Sequence, residues 1–341
     1  MCRVASLLCF VLLATFAASN ASAAELCGVT DAVLADGFEP TANLPAYAQP
    51  GPNTPLSLAV VDPPNGSTTG LDRIVLQGNF TGPPNTGIVA GDRLAAHSDT
   101  RFVTPPIALK PGANAIEVQL HTVDGPGPSV VHNITYDPAL APRARLLPAT
   151  VSAMAPTALA FDVALKPGEP LALTRLRLDT DGNGSTDLDI TQPDTAKATY
   201  QNPGLTKITG IATLDDTNPN TPAVQVPLST WFLAQHPQQT RYALCSAFGT
   251  MRARLMAGNV EGALSTLAGH LKERFDAYFT ALGPQLPDAA ENLGTIIDGT
   301  YSLGTAELML TRPMKSAPEK QQAYRVQLER DEHGVWVVTA M

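Results

Sequence analysis

The chain has 341 residues and a formal net charge of −9 at pH 7, with 22 Lys and Arg against 31 Asp and Glu. Because nucleic acids and anionic membranes bind clustered positive charge, this acidic balance argues against both classes of partner. The length, together with 30 Pro, 26 Gly and only 6% aromatic residues, predicts several small domains rather than one large core.

The first 23 residues have the features of a secretory signal peptide. Arg3 supplies a positive charge, residues 4–18 form an apolar stretch too short for an ordinary membrane span, and Ala21-Ser22-Ala23 places small side chains where a signal peptidase cleaves. A signal anchor or a buried helix is the alternative, but neither accounts for the closing Ala-x-Ala. We therefore expect an exported protein, periplasmic or extracellular, that keeps no transmembrane segment after residues 1–23 are removed.

The cysteines leave two alternatives open. Of the four in the chain, Cys2 and Cys9 would be removed with the signal peptide, so that Cys27 and Cys245 stay. Export to an oxidising compartment makes a disulfide between these two chemically possible. Cys245 also falls on the apolar face of a predicted helix, where a free cysteine packs as a small hydrophobic residue.

Residues 24–55 follow the signal peptide and are rich in Pro and Ala. They show no sustained helix or strand period. This composition predicts a flexible lead-in that joins the processed N-terminus to the first folded domain.

Residues 56–137 predict a first all-β sandwich. In the strand AIEVQLHTV, residues Ile116, Val118 and Leu120 alternate with Glu117, Gln119 and His121, so that the first set should face the core and the second set solvent. The run Leu109-x-Pro111-Gly112-x-Asn114-x-Ile116-x-Val118, which ends at Asp124-Gly125, resembles a strand region of bacterial Ig-like modules. The resemblance implies an Ig-like sandwich, although the Cys…Trp…Cys set of antibody domains is absent.

Residues 138–233 predict a second sandwich of the same class. Strand candidates are ALAFDVAL, LALTRLRLD, LTKITGIATLD and AVQVPLSTWF. The turn Tyr200-Gln201-Asn202-Pro203-Gly204, followed by apolar Ile208 and Ile211, is similar to the Y-x-x-P-G turn of PKD domains. The resemblance implies a PKD-like or Ig-like module.

Residues 234–341 change to helical periodicity and predict an α+β domain. Leu244, Phe248, Met251 and Leu255 form the apolar stripe of one helix, and a second stripe runs from Leu264 to Leu282, before Gly283-Pro284. Three strands should follow, TAELMLTR, AYRVQLERD and VWVVTAM. This order, closed by Gly334-Val335-Trp336, resembles the SnoaL-like fold of the nuclear-transport-factor superfamily. The resemblance implies a pocket for a small ligand, but the Asp/His pair of that fold has no identifiable counterpart here.

The clearest local motif reads D-T-D-G-N-G-S-T-D, at 179–187. It matches the first half of a calcium loop, in which carboxylates and an amide at alternate positions converge on one hard cation. Ile190 occupies the place of the usual bidentate acid, so the motif resembles the isolated calcium turns of exported bacterial modules rather than an EF-hand. An ordinary hairpin rich in good turn formers is the alternative. The candidate calcium ligands are Asp179, Asp181, Asn183, Ser185 and Asp187.

The sequence predicts no catalytic residues, because it contains neither a G-x-S-x-G nor an H-E-x-x-H motif and its six histidines are scattered. We therefore expect a non-enzymatic exported protein. Its sandwiches would act as a stalk or as binding modules, and its C-terminal domain would bind a protein or glycan partner or a small ligand. The alternatives are a carbohydrate-associated or adhesive surface protein, and a SnoaL-like enzyme in the C-terminal domain.

Overall fold

The computed structural model describes residues 54–191, 196–216 and 221–341. The predicted signal peptide and almost all of the lead-in lie outside the described residues. Buried apolar side chains form three separate clusters, drawn from residues 74–134, 144–234 and 243–338. Among the described helices, none combines the length and apolar character needed to span a bilayer.

Eleven strands form the first sandwich. They are β1 (Ser57–Asp62), β2 (Ser67–Thr69), β3 (Arg73–Ile74), β4 (Gln77–Thr81), β5 (Thr86–Ala90), β6 (Arg93–Leu94), β7 (Ala96–Ser98), β8 (Arg101–Val103), β9 (Ile107–Ala108), β10 (Gly112–Thr122) and β11 (Gly125–Tyr136). One main sheet has the order β1-β4-β8-β7 and the other β2-β11-β10-β5-β6, while β3 pairs with β9. The predicted core face of β10 is confirmed, since Ile116, Val118 and Leu120 are all buried.

His121 on the same strand differs from the expectation. The period-2 pattern predicts that it faces solvent, yet it is buried. The reason is a contact from outside the sandwich, because the ring of His333 stacks on the ring of His121 with centroids 4.2 Å apart. The alternation of residues along a strand predicts which side chains face the core of its own sandwich. It does not predict that the C-terminal unit covers His121 on the opposite face of the sheet.

Eight strands form the second sandwich. They are β12 (Ala144–Pro148), β13 (Ser152–Met154), β14 (Thr157–Leu165), β15 (Ala172–Asp179), β16 (Leu188–Ile190), β17 (Lys197–Tyr200), β18 (Gly204–Asp215) and β19 (Val224–Gln235). The sheets have the orders β12-β14-β17 and β13-β19-β18-β15-β16. Both sandwiches place a short strand parallel to the last strand, β2 beside β11 and β13 beside β19. Leu176, Leu178 and Phe232 are fully buried between the two sheets of the second sandwich.

The C-terminal unit consists of four α-helices followed by a four-stranded antiparallel sheet. Its elements are α1 (Pro237–Met256), α2 (Val260–Leu264), α3 (Gly269–Leu282), α4 (Leu286–Glu291), β20 (Thr295–Tyr301), β21 (Thr305–Met314), β22 (Ala317–Arg330) and β23 (Trp336–Ala340). The sheet order is the sequence order, β20-β21-β22-β23. Within this unit the helices precede the sheet in the chain.

Two details of this unit differ from the expectation. The second apolar stripe is not one helix, because the chain leaves α2 after Leu264 and Leu267 forms a bridge with Val338 before α3 begins. The main-chain N–H of Val338 donates to Thr266, and its carbonyl accepts from Ala268, so the linker extends the sheet edge. Strand β20 was not predicted from the sequence, because Asp298-Gly299 in its centre has the composition of a turn.

The C-terminal unit contacts the first sandwich through buried polar groups. The side-chain amide of Asn85 donates to the carbonyl of Trp336 at 2.9 Å and accepts from the N–H of Trp336 at 2.8 Å. A Cβ atom built on Gly87 would lie 2.0 Å from the carbonyl oxygen of His333, so only glycine permits this approach. The sequence did not predict this contact.

Two further polar contacts join the same pair of units. Arg254 of α1 forms an ion pair of 2.7 Å with Asp124, which belongs to the β10–β11 turn. Ser98 at the end of β7 donates from Oγ to Gln239 at 2.9 Å and accepts from the N–H of His236 at 3.1 Å. The C-terminal unit therefore lies against the first sandwich, although the second sandwich separates them in sequence.

The first and second sandwiches are joined by a smaller set of polar contacts. The indole N–H of Trp231 donates to Asp62 at 2.6 Å, and Lys207 lies over the same indole ring and 3.5 Å from the Asp62 carboxylate. Arg145 pairs with Asp72 at 2.6 Å. Side-chain hydrogen bonds and ion pairs thus join each of the three units to a neighbour.

We predict a disulfide between Cys27 and Cys245 in the mature protein. Cys245 on α1 is disulfide-bonded, and the other three cysteines of the chain lie outside the described residues. Removal of residues 1–23 would leave Cys27 as its single possible intramolecular partner. Peptide mapping of the purified protein without reductant should recover one cross-linked pair; a free Cys245 thiol would contradict the prediction. In the chain-entropy model, closing so long a loop stabilises the fold by about 5 kcal/mol.

Candidate metal site

The candidate calcium loop connects two neighbouring strands of the second sandwich. Asp179 is the last residue of β15, and β16 begins directly after Asp187, with Leu178 and Leu188 paired across the hairpin. Gly182 and Gly184 have φ angles of 76° and 87°, a region that side chains other than glycine rarely adopt. The sequence places glycines where the loop must turn sharply, which brings its acidic residues to one side.

Asp179 organises the loop by accepting hydrogen bonds from its main chain. Its Oδ1 accepts from the N–H groups of Gly182 at 2.7 Å and Asn183 at 3.2 Å, and its Oδ2 accepts from the N–H of Gly184 at 2.8 Å. Burial alone would raise the pKa of Asp179, but these donors outweigh burial and the net pKa lies below the ordinary value of 3.8. Asp179 is therefore a carboxylate at neutral pH.

Asp187 closes the loop from the other side. Its Oδ2 accepts from the main-chain N–H of Thr180 at 2.7 Å and from the Thr180 hydroxyl at 2.9 Å. Its own N–H donates to the carbonyl of Leu178 at 2.8 Å. Both hydrogen bonds that the Asp187 carboxylate accepts from described residues fall on Oδ2, and its Oδ1 is a candidate metal ligand.

The structure brings three of the five predicted ligands together. Carboxylate oxygens of Asp179, Asp181 and Asp187 lie within 4.8 Å of one another. Asn183 and Ser185 interact with each other instead, because the amide oxygen of Asn183 accepts from both the N–H and the hydroxyl of Ser185. Within residues 54–191, 196–216 and 221–341, this is the one group of three or more acidic, His or Cys side chains whose ligand atoms meet so closely.

The charge of this cluster is uncompensated. No ion pair in the described part of the chain joins Asp179, Asp181 or Asp187 to a Lys, Arg or His. Asp181 accepts from the N–H of Asn183 at 3.0 Å and from its side-chain amide at 2.9 Å, both neutral donors. Three negative charges therefore repel one another within a few ångströms, and a divalent cation would relieve that repulsion.

The oxygen donors fit calcium in chemistry but are few in number. Calcium takes six to eight oxygen ligands, and each carboxylate keeps lone pairs beyond those used in the hydrogen bonds above. Ile190 stands where an EF-hand has its bidentate acid, and it packs against the core of the second sandwich. Asp189, one residue earlier, is held by Arg175 through two hydrogen bonds of 2.6 and 2.5 Å. The loop thus offers three carboxylates, and water would complete the coordination.

Tyr200 supports the loop and was not recognised as part of the site. Its hydroxyl donates to the carbonyl of Thr180 at 2.9 Å, and its ring packs on Phe232 with centroids 4.6 Å apart. Burial raises the pKa of Tyr200, and the nearby charges of Asp187 and Asp181 raise it further. The sequence places Tyr200 only in the turn before β18, because Thr180, whose carbonyl accepts its hydrogen bond, lies 20 residues away.

Comparisons with known proteins identify no family for this chain. No protein-family model and no curated protein sequence matches the chain. Among solved structures, the Clostridium thermocellum CbhA fibronectin(III)-like modules are 13% identical, over 53% of this chain and 95% of that chain, with a TM-score of 0.20. Domains 5–6 of the S-layer protein SbsC are 10% identical, over 51% and 97%, with a TM-score of 0.23. Bacteroides ovatus SGBP-B, in complex with a mixed-linkage heptasaccharide, is 14% identical, over 54% and 48%, with a TM-score of 0.17.

These similar structures include fibronectin(III)-like modules and domains of an S-layer protein. At such identities and TM-scores the likeness carries no argument about ligand or activity. The ligand and the activity of this chain are therefore inferred from its own residues.

Replacing Asp179 by Ala should lower the free energy of unfolding of the second sandwich by about 2 kcal/mol in the absence of metal, because three main-chain N–H groups lose their acceptor. Urea denaturation at pH 7 measures this change. Since the pKa of Asp179 is lowered by folding, the loss should be full above the ordinary value of 3.8 and should shrink as the pH falls below it. The exposed Asp92→Ala variant is the control and should change stability by less than about 0.5 kcal/mol. Equal effects of the two variants would contradict the structural role of Asp179.

Proposed function

We propose that this chain is an exported, non-enzymatic modular protein whose second sandwich binds calcium at the loop of residues 179–187. Two Ig-like sandwiches support a C-terminal α+β unit that binds a protein partner. The observation that carries the calcium proposal is the convergence of Asp179, Asp181 and Asp187 without a positively charged partner in the described chain. The affinity should fall in the weak range of extracellular calcium modules, because water supplies the remaining ligands.

The packing of the C-terminal unit supports a binding role over a SnoaL-like enzyme. Leu244, Phe248, Met251 and Trp336 are buried between the helices and the sheet, where a ligand pocket of that fold would open. A filled interior leaves little room for a substrate. We therefore assign the partner-binding role to the outer surface of this unit.

The two tryptophans bear on the carbohydrate alternative. Sugar-binding platforms expose aromatic rings that stack on the ligand. Trp336 is 1% exposed, and the indole N–H of Trp231 is engaged by Asp62 while Lys207 covers its ring. Neither side chain is presented as a platform, which favours a protein partner over a glycan.

Calcium should stabilise the wild-type protein. We expect the melting temperature to rise by about 3 °C in 10 mM calcium, because a cation that binds only the folded state adds its binding free energy to stability. The Asp181→Ala variant should fold like the wild type, since Asp181 is exposed, but it should lose the calcium-dependent rise. Asp189→Ala is the matched control, because this acid pairs with Arg175 outside the cluster, and it should keep the rise. An unchanged wild-type melting temperature in 10 mM calcium would remove the metal from the proposal.

Export can be tested independently of calcium. Expression of the full chain in a bacterial host should yield a processed protein outside the cytoplasm whose N-terminus is Ala24, because cleavage follows Ala21-Ser22-Ala23. N-terminal sequencing of the recovered protein measures this directly. Recovery of unprocessed, cytoplasmic protein would contradict the proposal of export and leave the calcium loop as a separate question.

A further inference from the structure

Three of the six histidines of this chain lie at the contact between the first sandwich and the C-terminal unit. His97 is on β7 and His121 on β10, whereas His333 belongs to the turn between β22 and β23. The rings of His121 and His333 stack almost parallel, with centroids 4.2 Å apart and an interplanar angle of 4°. Such a contact is stable between neutral rings and repulsive when both rings are charged.

His97 lies deeper in the same contact and faces a cation. Its Nε2 is 3.4 Å from Nη1 of Arg330, whose guanidinium lies over the ring of Trp336 at 5.1 Å. No ion pair in the described chain joins Arg330 to a carboxylate, and its buried Nε has no hydrogen-bond partner. Burial lowers the pKa of Arg330 only to about 10, so it is charged at neutral pH. A proton added to His97 would therefore meet an uncompensated positive charge in a dehydrated environment.

The C-terminal unit carries charged groups that help to lower the pKa values of His97 and His121. Burial first, and then the charge of Arg330, lowers the pKa of His97 from 6.5 to about 3. Burial first, and then the charge of His333, lowers the pKa of His121, while Asp331 acts the other way. Arg330 and His333 belong to the C-terminal unit, so separation of the units removes their charge from beside His97 and His121 and takes the His333 ring off His121.

Other charged groups face these histidines from every element at the contact. They are Asp124 of the β10–β11 turn, Arg254 of α1, Glu261 of α2, Lys272 of α3, Arg330 of β22, and Asp331 and Glu332 of the β22–β23 turn.

We propose that the contact between the first sandwich and the C-terminal unit is an acid-sensitive latch, which holds while His97 and His121 are neutral and loosens as they gain protons. For His97 the closed state has the lower pKa. Closing is therefore fully favoured above the ordinary pKa of 6.5 and weakens as the pH falls from there toward about 3. This inference does not depend on calcium binding.

Amide hydrogen exchange of the full mature protein tests the latch. The N–H of Trp336 donates to Asn85 across the contact, so peptide 331–340 reports its opening. Between pH 7.5 and 5.0 we expect the protection factor of this peptide, corrected for intrinsic exchange, to fall by more than about threefold. A peptide covering β18 in the second sandwich is the internal reference and should change less than about threefold.

Histidine variants assign the effect. His97→Gln keeps a polar side chain beside Arg330 but cannot titrate, and it should abolish most of the pH dependence. His132→Gln is the matched control: His132 is also buried with a lowered pKa, but it bonds to Pro63 within the first sandwich. It should keep the full response. If His97→Gln fails to fold by circular dichroism, the exposed turn variant His333→Gln should still reduce the response by removing the charge beside His121.

Two results would overturn the latch. One is a wild-type protection factor for peptide 331–340 that is unchanged from pH 7.5 to 5.0, whatever the variants do. The other is a pH response that persists in full in His97→Gln, or in His333→Gln if that variant is the one that folds, since another group would then open the contact.

Discussion

The reciprocal hydrogen bonds between the side chain of Asn85 and the main chain of Trp336 are the contact on which the arrangement of the units depends. They join residues that are 251 positions apart and are buried on both sides. Loss of either partner leaves a buried donor and acceptor unsatisfied, at about 1–3 kcal/mol for each group. The pair also sets the approach at Gly87, which brings the β22–β23 turn onto the first sandwich and buries His121 beneath His333.

The strands of the sandwiches could be predicted because their signal is local. Alternation along β10 reports which side chains face the core, and Ile116, Val118 and Leu120 do so. The fate of His121 could not be predicted, since it depends on a surface supplied two hundred residues later. The same limit applies to Leu264 and Leu267: their spacing favours one helix, but pairing with the edge of β23 at Val338 breaks it. Tertiary pairing overrides helical period where a sheet edge offers main-chain partners.

The candidate metal loop shows the same division between local and distant causes. The carboxylates of Asp179, Asp181 and Asp187 meet because the glycines at 182 and 184 turn the chain back within a few residues, and the sequence shows both the acids and the glycines. The exclusion of Asp189 follows from Arg175 on the paired strand, and the support from Tyr200 follows from a strand of the other sheet. Both contributions require the register of the second sandwich, which residue spacing does not contain.

The contact between the first sandwich and the C-terminal unit differs in chemistry from the interior of either unit. Each unit has its own apolar cluster, whereas the first sandwich and the C-terminal unit meet through Asn85, His97, Arg330 and the Arg254–Asp124 pair. Burial of apolar surface stabilises a fold roughly in proportion to the area buried. The hydrogen bonds and ion pairs of buried polar groups, by contrast, contribute little net free energy once the loss of their hydration is included. The polar groups of this contact therefore stabilise it less, for the same area, than apolar side chains stabilise the interior of each unit. A contact of this kind is suited to reversible opening, and its unpaired Arg330 makes the closed state sensitive to any charge added beside it.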